Sequence, residues 1–418
     1  MTEGAQRIVI AGGGMVGISL ALALARRLPE AIELVLVEGF PLPADGAGSY
    51  HPSFDARSTA LSYSTRQVFE TLDAWAPLAP GACPIEHIHV SSRGHFGSSC
   101  LHAVEQGWPA LGWVVENAWL GRVLADRLRA TPRVRVLSPA RCLGARPDAG
   151  GLRVSLAGEA AGGTENATEL DADLLVIADG ARSGLRDALG LGATEKRYGQ
   201  DALVANVAFA EDPAGRAFER FTASGPLALL PLLPADGAHR AALVWTLPPA
   251  RAAELRAAPP EAFLAALRDA FGYRLGRPLA VGERHSYPLA LVEARETVRR
   301  HLVVVGNAAH ALHPVAGQGF NLALRDVHAL ADEIARGVAA GASPGDLAVL
   351  QAYRERQAGD QQRTIAASDL LPGLFMHADP LIGIARDLAL AGLDVARTLK
   401  DSFVRHAAGM AALESPRG

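Results

Sequence analysis

Lysine is almost missing from this chain. Of 418 residues only Lys196 and Lys400 are lysine, so nearly all of the 40 basic residues are arginine, set against 44 acidic ones. The net charge of −4 leaves no basic footprint for nucleic acid, and no nucleic-acid partner is expected. Cysteine is scarce too: Cys83, Cys100 and Cys142 are an odd number at wide spacing. That argues against a disulfide scaffold or a zinc site and fits a reducing cytoplasm; no metal is expected. Long uncharged apolar runs are nearly absent as well. The run that looks like a signal peptide or membrane span, Ile8–Ala25 behind Arg7, is broken by Gly12, Gly13, Gly14 and Gly17. A soluble cytoplasmic protein, at most peripheral to a membrane, is expected. No internal repeat is visible. Apolar residues, in contrast, make up 49% of the chain, enough for a large core in two or three domains.

Arg7–Ile10 reads as a β-run, Ile18–Leu28 as a helix rich in Ala and Leu, and Glu33–Val37 as a second β-run: a βαβ unit at the N-terminus. Gly39–Ser53 reads as loop, Ser58–Trp75 as helix and His87–Val90 as strand. Leu120, Val123, Leu124 and Leu128 recur at helical spacing within Trp119–Arg129. Arg133–Leu137, Leu152–Leu156 and Leu174–Ala178 read as strands, with Ala157–Glu169 an exposed turn. From Lys196 to Leu291 the character changes. Strand-like runs at Leu203–Phe209, Leu227–Leu232 and Ala241–Leu247 alternate with Pro-rich turns, and a helix follows at Pro260–Phe271. This is the pattern of an inserted sheet domain. His301–Val305 returns to a buried strand, Asn321–Gly337 has the apolar spacing of a long helix, and the chain after Gly345 reads as helical.

Three stretches carry chemistry. Gly12-Gly13-Gly14-Met15-Val16-Gly17 is a G-x-G-x-x-G between strand and helix, and Glu38 ends the next strand about 20 residues on. Gly12 allows the tight turn, Gly14 lets the backbone approach a pyrophosphate, and Gly17 lets helix pack on strand. The helix N-terminus offers N–H groups and a positive dipole end to phosphates, while Glu38 can accept from ribose hydroxyls. The second stretch is Leu174–Ala178 followed by Asp179-Gly180, with Ser183 placed to cap a short helix. The third runs from Gly306-Asn307 through His310, His313 and Pro314 to Gly317-Gln318-Gly319 at the head of the Asn321 helix. Its small side chains suit a flat, anionic group held by backbone N–H groups. His310 and His313 have no metal-ligand spacing and read as loop-packing histidines.

In this order the three stretches resemble the class A flavoprotein monooxygenases, the para-hydroxybenzoate hydroxylase family, over nearly the whole chain. The matching positions are Gly12, Gly14, Gly17, Glu38, Asp179, Gly180, Pro314, Gly317 and Gly319. The wider family has Gly-Asp where this chain has Gly306-Asn307. That departure, with Leu312-His313-Pro314, Gly317-Gln318-Gly319-Phe320-Asn321-Leu322 and Phe54-Asp55-Ala56-Arg57, resembles the ubiquinone-biosynthesis hydroxylases, and among them the 2-octaprenyl-6-methoxyphenol hydroxylases.

The resemblance implies an α/β fold. A Rossmann-like FAD-binding domain over 1–195, with some substrate-domain strands near 85–115, is interrupted by a mainly antiparallel β-sheet substrate domain over 196–291. The FAD-binding domain is completed over 292–345, and 346–418 forms a helical C-terminal region. It implies bound FAD held by Gly12, Gly14, Gly17, Glu38, Arg57, Asp179, Gly180, Asn307, Pro314, Gly317, Gly319 and Asn321. An arginine that the family often places before Leu120 is replaced by Asn117 after Glu116. The implied activity is hydroxylation of a polyprenylated phenol with NADH or NADPH and O2, through a flavin C4a-hydroperoxide. It needs no catalytic side-chain triad. Leu229, Pro231, Leu232 and Trp245 are candidates for the substrate wall. Other ubiquinone-biosynthesis proteins or the inner-membrane surface are candidate partners, through Leu370–Phe375 and Leu381–Leu399. Hydroxylation of another small phenol, alkene reduction, or a flavin-retaining non-catalytic subunit are the alternatives. A flavin halogenase would need a catalytic lysine, and neither Lys196 nor Lys400 is so placed.

Overall fold

The computed structural model describes residues 6–42, 57–93, 98–159, 165–313, 317–376, 405 and 408–410. Its first body is built around Arg7–Ala11. This strand lies between Glu33–Val37 and Leu174–Ile177 and is parallel to both. The sheet runs Val298–Arg299, Leu302–Val304, Leu174–Ile177, Arg7–Ala11, Glu33–Val37, Val134–Leu137, and only the first pair is antiparallel. The continuous apolar runs follow from burial on both faces. Ile8, Ile10, Leu34 and Leu36 point to one side, where the helices Met15–Arg27, Asn117–Arg129 and Gln318–Ala339 bury Leu20, Leu124 and Leu330 against them. Val9, Val35, Val37 and Leu175 point to the other. There a three-stranded antiparallel sheet (Ala140–Asp148, Gly151–Glu159, Glu165–Ala172) contributes Val154 and Leu156. Helix Leu347–Met376 packs Leu350 and Tyr353 into the first of these cores.

The second body is a large mixed sheet. Its strands follow the order His310–Ala311, His285–Ala294, Ala193–Phe209, Ala238–Leu247, Gly225–Ala235, Arg216–Thr222, His87–Ser92, Ser98–His102, with Pro278–Val281 beside Ala193–Phe209. All pairs are antiparallel except Arg216–Thr222 with His87–Ser92. One face is closed by helices Pro249–Ala257 and Pro260–Phe271, whose Leu255, Phe263 and Leu267 pack on Leu203, Leu229, Leu243 and Trp245. The other face looks back toward the first body. Among the described residues no helix is long and apolar enough to cross a membrane.

Two expectations change. Ser58–Trp75 is not one helix: Ser58–Ser62 is a strand paired with Gly112–Glu116, and the helix is Tyr63–Thr71. Ser62 ends the strand and caps the helix, its hydroxyl accepting from Thr65 N–H at 3.3 Å, so strand pairing overrides the helical pattern. Within Ala157–Glu169 the described residues are strand: Ala157–Glu159 ends Gly151–Glu159 and pairs antiparallel with the start of Glu165–Ala172. Part of the Gly39–Ser53 loop, residues 54–56, Pro314 and Leu381–Leu399 lie outside the described residues.

Candidate active site

The site grows from the carboxyl ends of four parallel strands, where open α/β sheets bind their ligands. Arg7–Ala11 runs into the glycine loop, Glu33–Val37 into Glu38, Leu174–Ile177 into Asp179-Gly180, and Leu302–Val304 into Gly306-Asn307. Gly12 turns with φ +110°, and a Cβ there would stand 2.4 Å from the Ala178 carbonyl oxygen. Gly17 lies one helical turn in, and its Cβ would stand 1.8 Å from the Gly12 carbonyl oxygen. Gly17 therefore shapes the loop from behind and is not part of the cavity lining.

Glu38 is buried, and its carboxylate is already engaged. It accepts from Gly13 N–H at 2.5 Å and from Phe40 N–H at 2.8 Å. It braces the loop while lining the cavity. Burial pushes the Asp179 carboxyl above its ordinary pKa; the Ser183 hydroxyl and backbone N–H groups partly offset this. Ser183 caps helix Gly184–Ala188 as expected, its hydroxyl accepting from Arg186 N–H at 3.0 Å. Gly180 has φ +94°, with open space where a Cβ would be.

Two helices open into the same space. Met15–Arg27 begins at Gly14 and Gln318–Ala339 at Gly317, and neither has a side-chain cap or an acidic residue in its first turn. Their positive dipole ends therefore open into the space without a side-chain cap or a first-turn acid against them, a geometry suited to an anion. Gly317 is left-handed, φ +60°, and turns the chain beside Ala60.

One continuous cavity of about 970 Å3 joins these parts. Gly12, Gly14, Glu38, Arg57, Asp179 and Gly180 line it, and so do Asn307, Gly317, Gly319 and Asn321. Asn321 does different work from that expected. Its Oδ1 accepts from Ser62 N–H and Thr65 Oγ1, and its Nδ2 donates to the Ala60 and Gly317 carbonyls. The amide is fully used in clasping strand to helix, and its side chain has no hydrogen bond left for a cofactor. Asn307 is exposed at the cavity. Asn117 opens its helix buried, accepting from Thr59 Oγ1 at 2.7 Å.

The mixed sheet supplies the far wall, with the opposite register from that expected. Leu229 and Trp245 face the helical core and Pro231 does not line the cavity, while Leu232 shares the face of Leu230 but is packed against Ile85 and Val114 instead. Their neighbours Ala228, Leu230, Val244 and Thr246 line it, as strand alternation requires. Two further residues on this wall carry chemistry. Tyr287 stacks under Arg57, whose guanidinium carbon lies 4.8 Å from the ring centroid. Glu219 lines the cavity, and burial pushes its carboxyl up to about 7. A lone acid in the run Ala217-Phe218-Glu219-Arg220-Phe221 was its only sign in the sequence.

The two histidines pack the third stretch. His310 Nε2 lies 3.3 Å from the buried Asp326 carboxylate, which also accepts from Gln357 and Gln361. His313 is fully buried, edge-on to Tyr198, and burial lowers its imidazole to about 4, leaving it neutral.

Comparison with known proteins adds to this geometry. The chain matches the family described as FAD binding domain over residues 5–365. It is 35% identical to the ubiquinone hydroxylase UbiL of Rhodospirillum rubrum, over 98% of this chain and 91% of that protein. It is 30% identical to the 3-demethoxyubiquinol 3-hydroxylase of Escherichia coli, over 98% of this chain and all of that protein (100%). In fold it is similar to the p-nitrophenol 4-monooxygenase of Pseudomonas putida, with a TM-score of 0.75 at 18% identity, covering 99% and 100% of the two chains.

Proposed function

This chain belongs to the FAD-binding family that includes the ubiquinone hydroxylases, and from that premise we propose that it hydroxylates a polyprenylated phenol, using FAD, NADH or NADPH, and O2. One observation carries the reading: a single cavity has anion-accepting backbone at one end and a sheet wall rich in small apolar side chains at the other. The residues present fit a flavin dinucleotide. The Gly12–Gly14 loop and the uncapped helix at Met15 take the pyrophosphate, the rim of Glu38 takes ribose hydroxyls, and the open backbone at Asp179-Gly180 flanks the diphosphate. Asn307 would hydrogen-bond the ribityl chain. The helix start at Gln318–Phe320 would favour negative charge on the flavin ring. Arg57, beside Tyr287, would also hold it.

When bound, FAD supplies electron transfer from the nicotinamide and the activation of O2. The protein positions the ring, excludes water with its apolar wall and fixes charge with its backbone dipoles. The likeness to the 2-octaprenyl-6-methoxyphenol hydroxylases belongs to this proposal, as does recruitment to a membrane surface or partner that delivers the insoluble tail. The test is purification, inspection for bound flavin, and NAD(P)H oxidation with short-chain prenylphenols while following oxygen from labelled O2 into product. Flavin binding with phenol-dependent label incorporation is expected. A protein that takes up no FAD, or oxidises NAD(P)H without labelling any phenol, sinks the reading.

A further inference from the structure

Glu219 stands apart from the other carboxyls of the cavity. Glu38 is held by two backbone N–H groups, Asp179 by Ser183 and the backbone, and Glu283 lies 3.4 Å from His285 Nε2. Glu219 has neither hydrogen bond nor ion pair among the described residues. Its place follows from strand register. Val90, Glu219, Ala228 and Val244 face one another across four neighbouring strands, and all four line the cavity. Along its own strand, Ala217 and Phe221 line it too. The carboxyl thus rises from the middle of an apolar wall, where a polar group is costly unless a partner completes it.

We propose that Glu219 is the anchor for the substrate's ring hydroxyl, accepting a hydrogen bond from its O–H while the surrounding wall takes the ring and the start of the prenyl tail. This rests on the phenol reading above and narrows it to one pair of atoms. A phenol hydroxyl is a strong donor on a largely apolar molecule, and a carboxyl on an apolar wall needs one such donor. The charge-assisted bond fixes which edge of the ring lies against the sheet. It also draws the hydroxyl proton toward Glu219, which enriches the ring in electron density for attack on an electrophilic oxygen. The high pKa of Glu219 lets it share that proton near neutral pH.

The test uses the FAD-loaded protein with a short-chain prenylphenol and its O-methyl ether, binding being read from the flavin absorption spectrum. Glu219→Leu keeps its flavin and weakens the phenol roughly tenfold or more, while the ether, which has no proton to donate, changes less than about twofold. Glu219→Gln, nearly isosteric, lowers the preference for phenol over ether by about threefold and decides the matter if the leucine variant does not fold. Equal loss of phenol and ether, or an unchanged preference in both variants, overturns the anchor and leaves the hydroxylase reading standing. Loss of flavin from Glu219→Gln also overturns it, since that marks a structural role. Wild-type protein that binds neither probe removes the phenol reading and the anchor with it.

Discussion

The two sheets build their halves of the cavity by different means. The parallel sheet is buried on both faces and contributes backbone: glycine turns, strand ends and uncapped helix starts. The mixed sheet is covered by helices on one face and contributes side chains to the cavity from the other. A backbone site tolerates little change, because its atoms are set by torsion angles and close approaches. A side-chain wall can be altered residue by residue without disturbing the sheet behind it. On the proposed function, the same contrast would separate residues that hold a cofactor, shared by many chemistries, from residues that choose a substrate.

The sharpest break of this contrast lies within the glycine turns. Gly12→Ala meets the Ala178 carbonyl at φ +110° and is expected to cost about 3 kcal/mol or more and to lose flavin. Gly180→Ala has a similar torsion, φ +94°, with open space, and is expected to cost only about 1 kcal/mol. Urea unfolding and flavin content check both; equal costs would show that the close approach at Gly12 is immaterial.

The second test takes two adjacent strands of the mixed sheet. Trp245→Ala empties the helical core behind the wall and should destabilise by about 3–5 kcal/mol. Ala228→Phe faces the cavity and should change stability by less than about 1 kcal/mol while lowering affinity for a prenylphenol. Unfolding midpoints and binding titrations separate the two. A large stability loss in Ala228→Phe would mean that the wall is not an open surface.

The third uses pH. His313 is neutral in the fold, its pKa lowered from 6.5 to about 4. The unfolded chain takes the proton first, so stability present above pH 6.5 is lost as pH falls toward 4, by up to about 3 kcal/mol. Glu219 has the opposite sign. Its pKa is raised from 4.5 to about 7, so its contribution is greatest below pH 4.5 and is lost as pH rises to 7. Glu219 is half-exposed at the cavity, so its share is nearer about 1 kcal/mol. Between pH 5 and 7 the two oppose each other. Glu219→Gln should therefore steepen the rise of stability with pH, and His313→Gln should flatten or reverse it, as read from thermal unfolding across that window. Parallel pH curves for all three proteins would contradict both assignments.

How much of this was legible in the sequence follows the same division. Gly12, Gly180 and Gly317 announced themselves because a backbone turn of that kind demands glycine, and the strand–turn–helix frame placed them. The helix at Pro260–Phe271 and the long helix around Asn321–Gly337 were readable from spacing. The wall was not. Period-two alternation shows that a strand has two faces but not which one a distant cavity chooses, so Leu229 and Trp245 stood in for Ala228 and Val244. Asn321 lines the cavity, but its bonds could not be read, since the partners Ser62 and Ala60 are far away in sequence and meet it only through the fold.

The smallest expected effect lies where the two halves touch. Arg57 belongs to both: its carbonyl accepts from Asn117 N–H at 2.8 Å on the first body, while its guanidinium lies over Tyr287 on the second. If the cavity is one site, this contact couples the cofactor half to the substrate half. A cation over a phenol ring in a half-buried setting is worth about 0.5–1 kcal/mol, so Arg57→Ala and Tyr287→Ala should each weaken FAD by only a few-fold. The informative quantity is the double-mutant cycle on FAD affinity. Tyr287 lines the cavity from the mixed sheet, so a coupling of about 0.5–1 kcal/mol would mean that this wall helps set the flavin's grip through Arg57. Strict additivity would mean that the two sheets act on their ligands independently, each half closing its own end of a shared space.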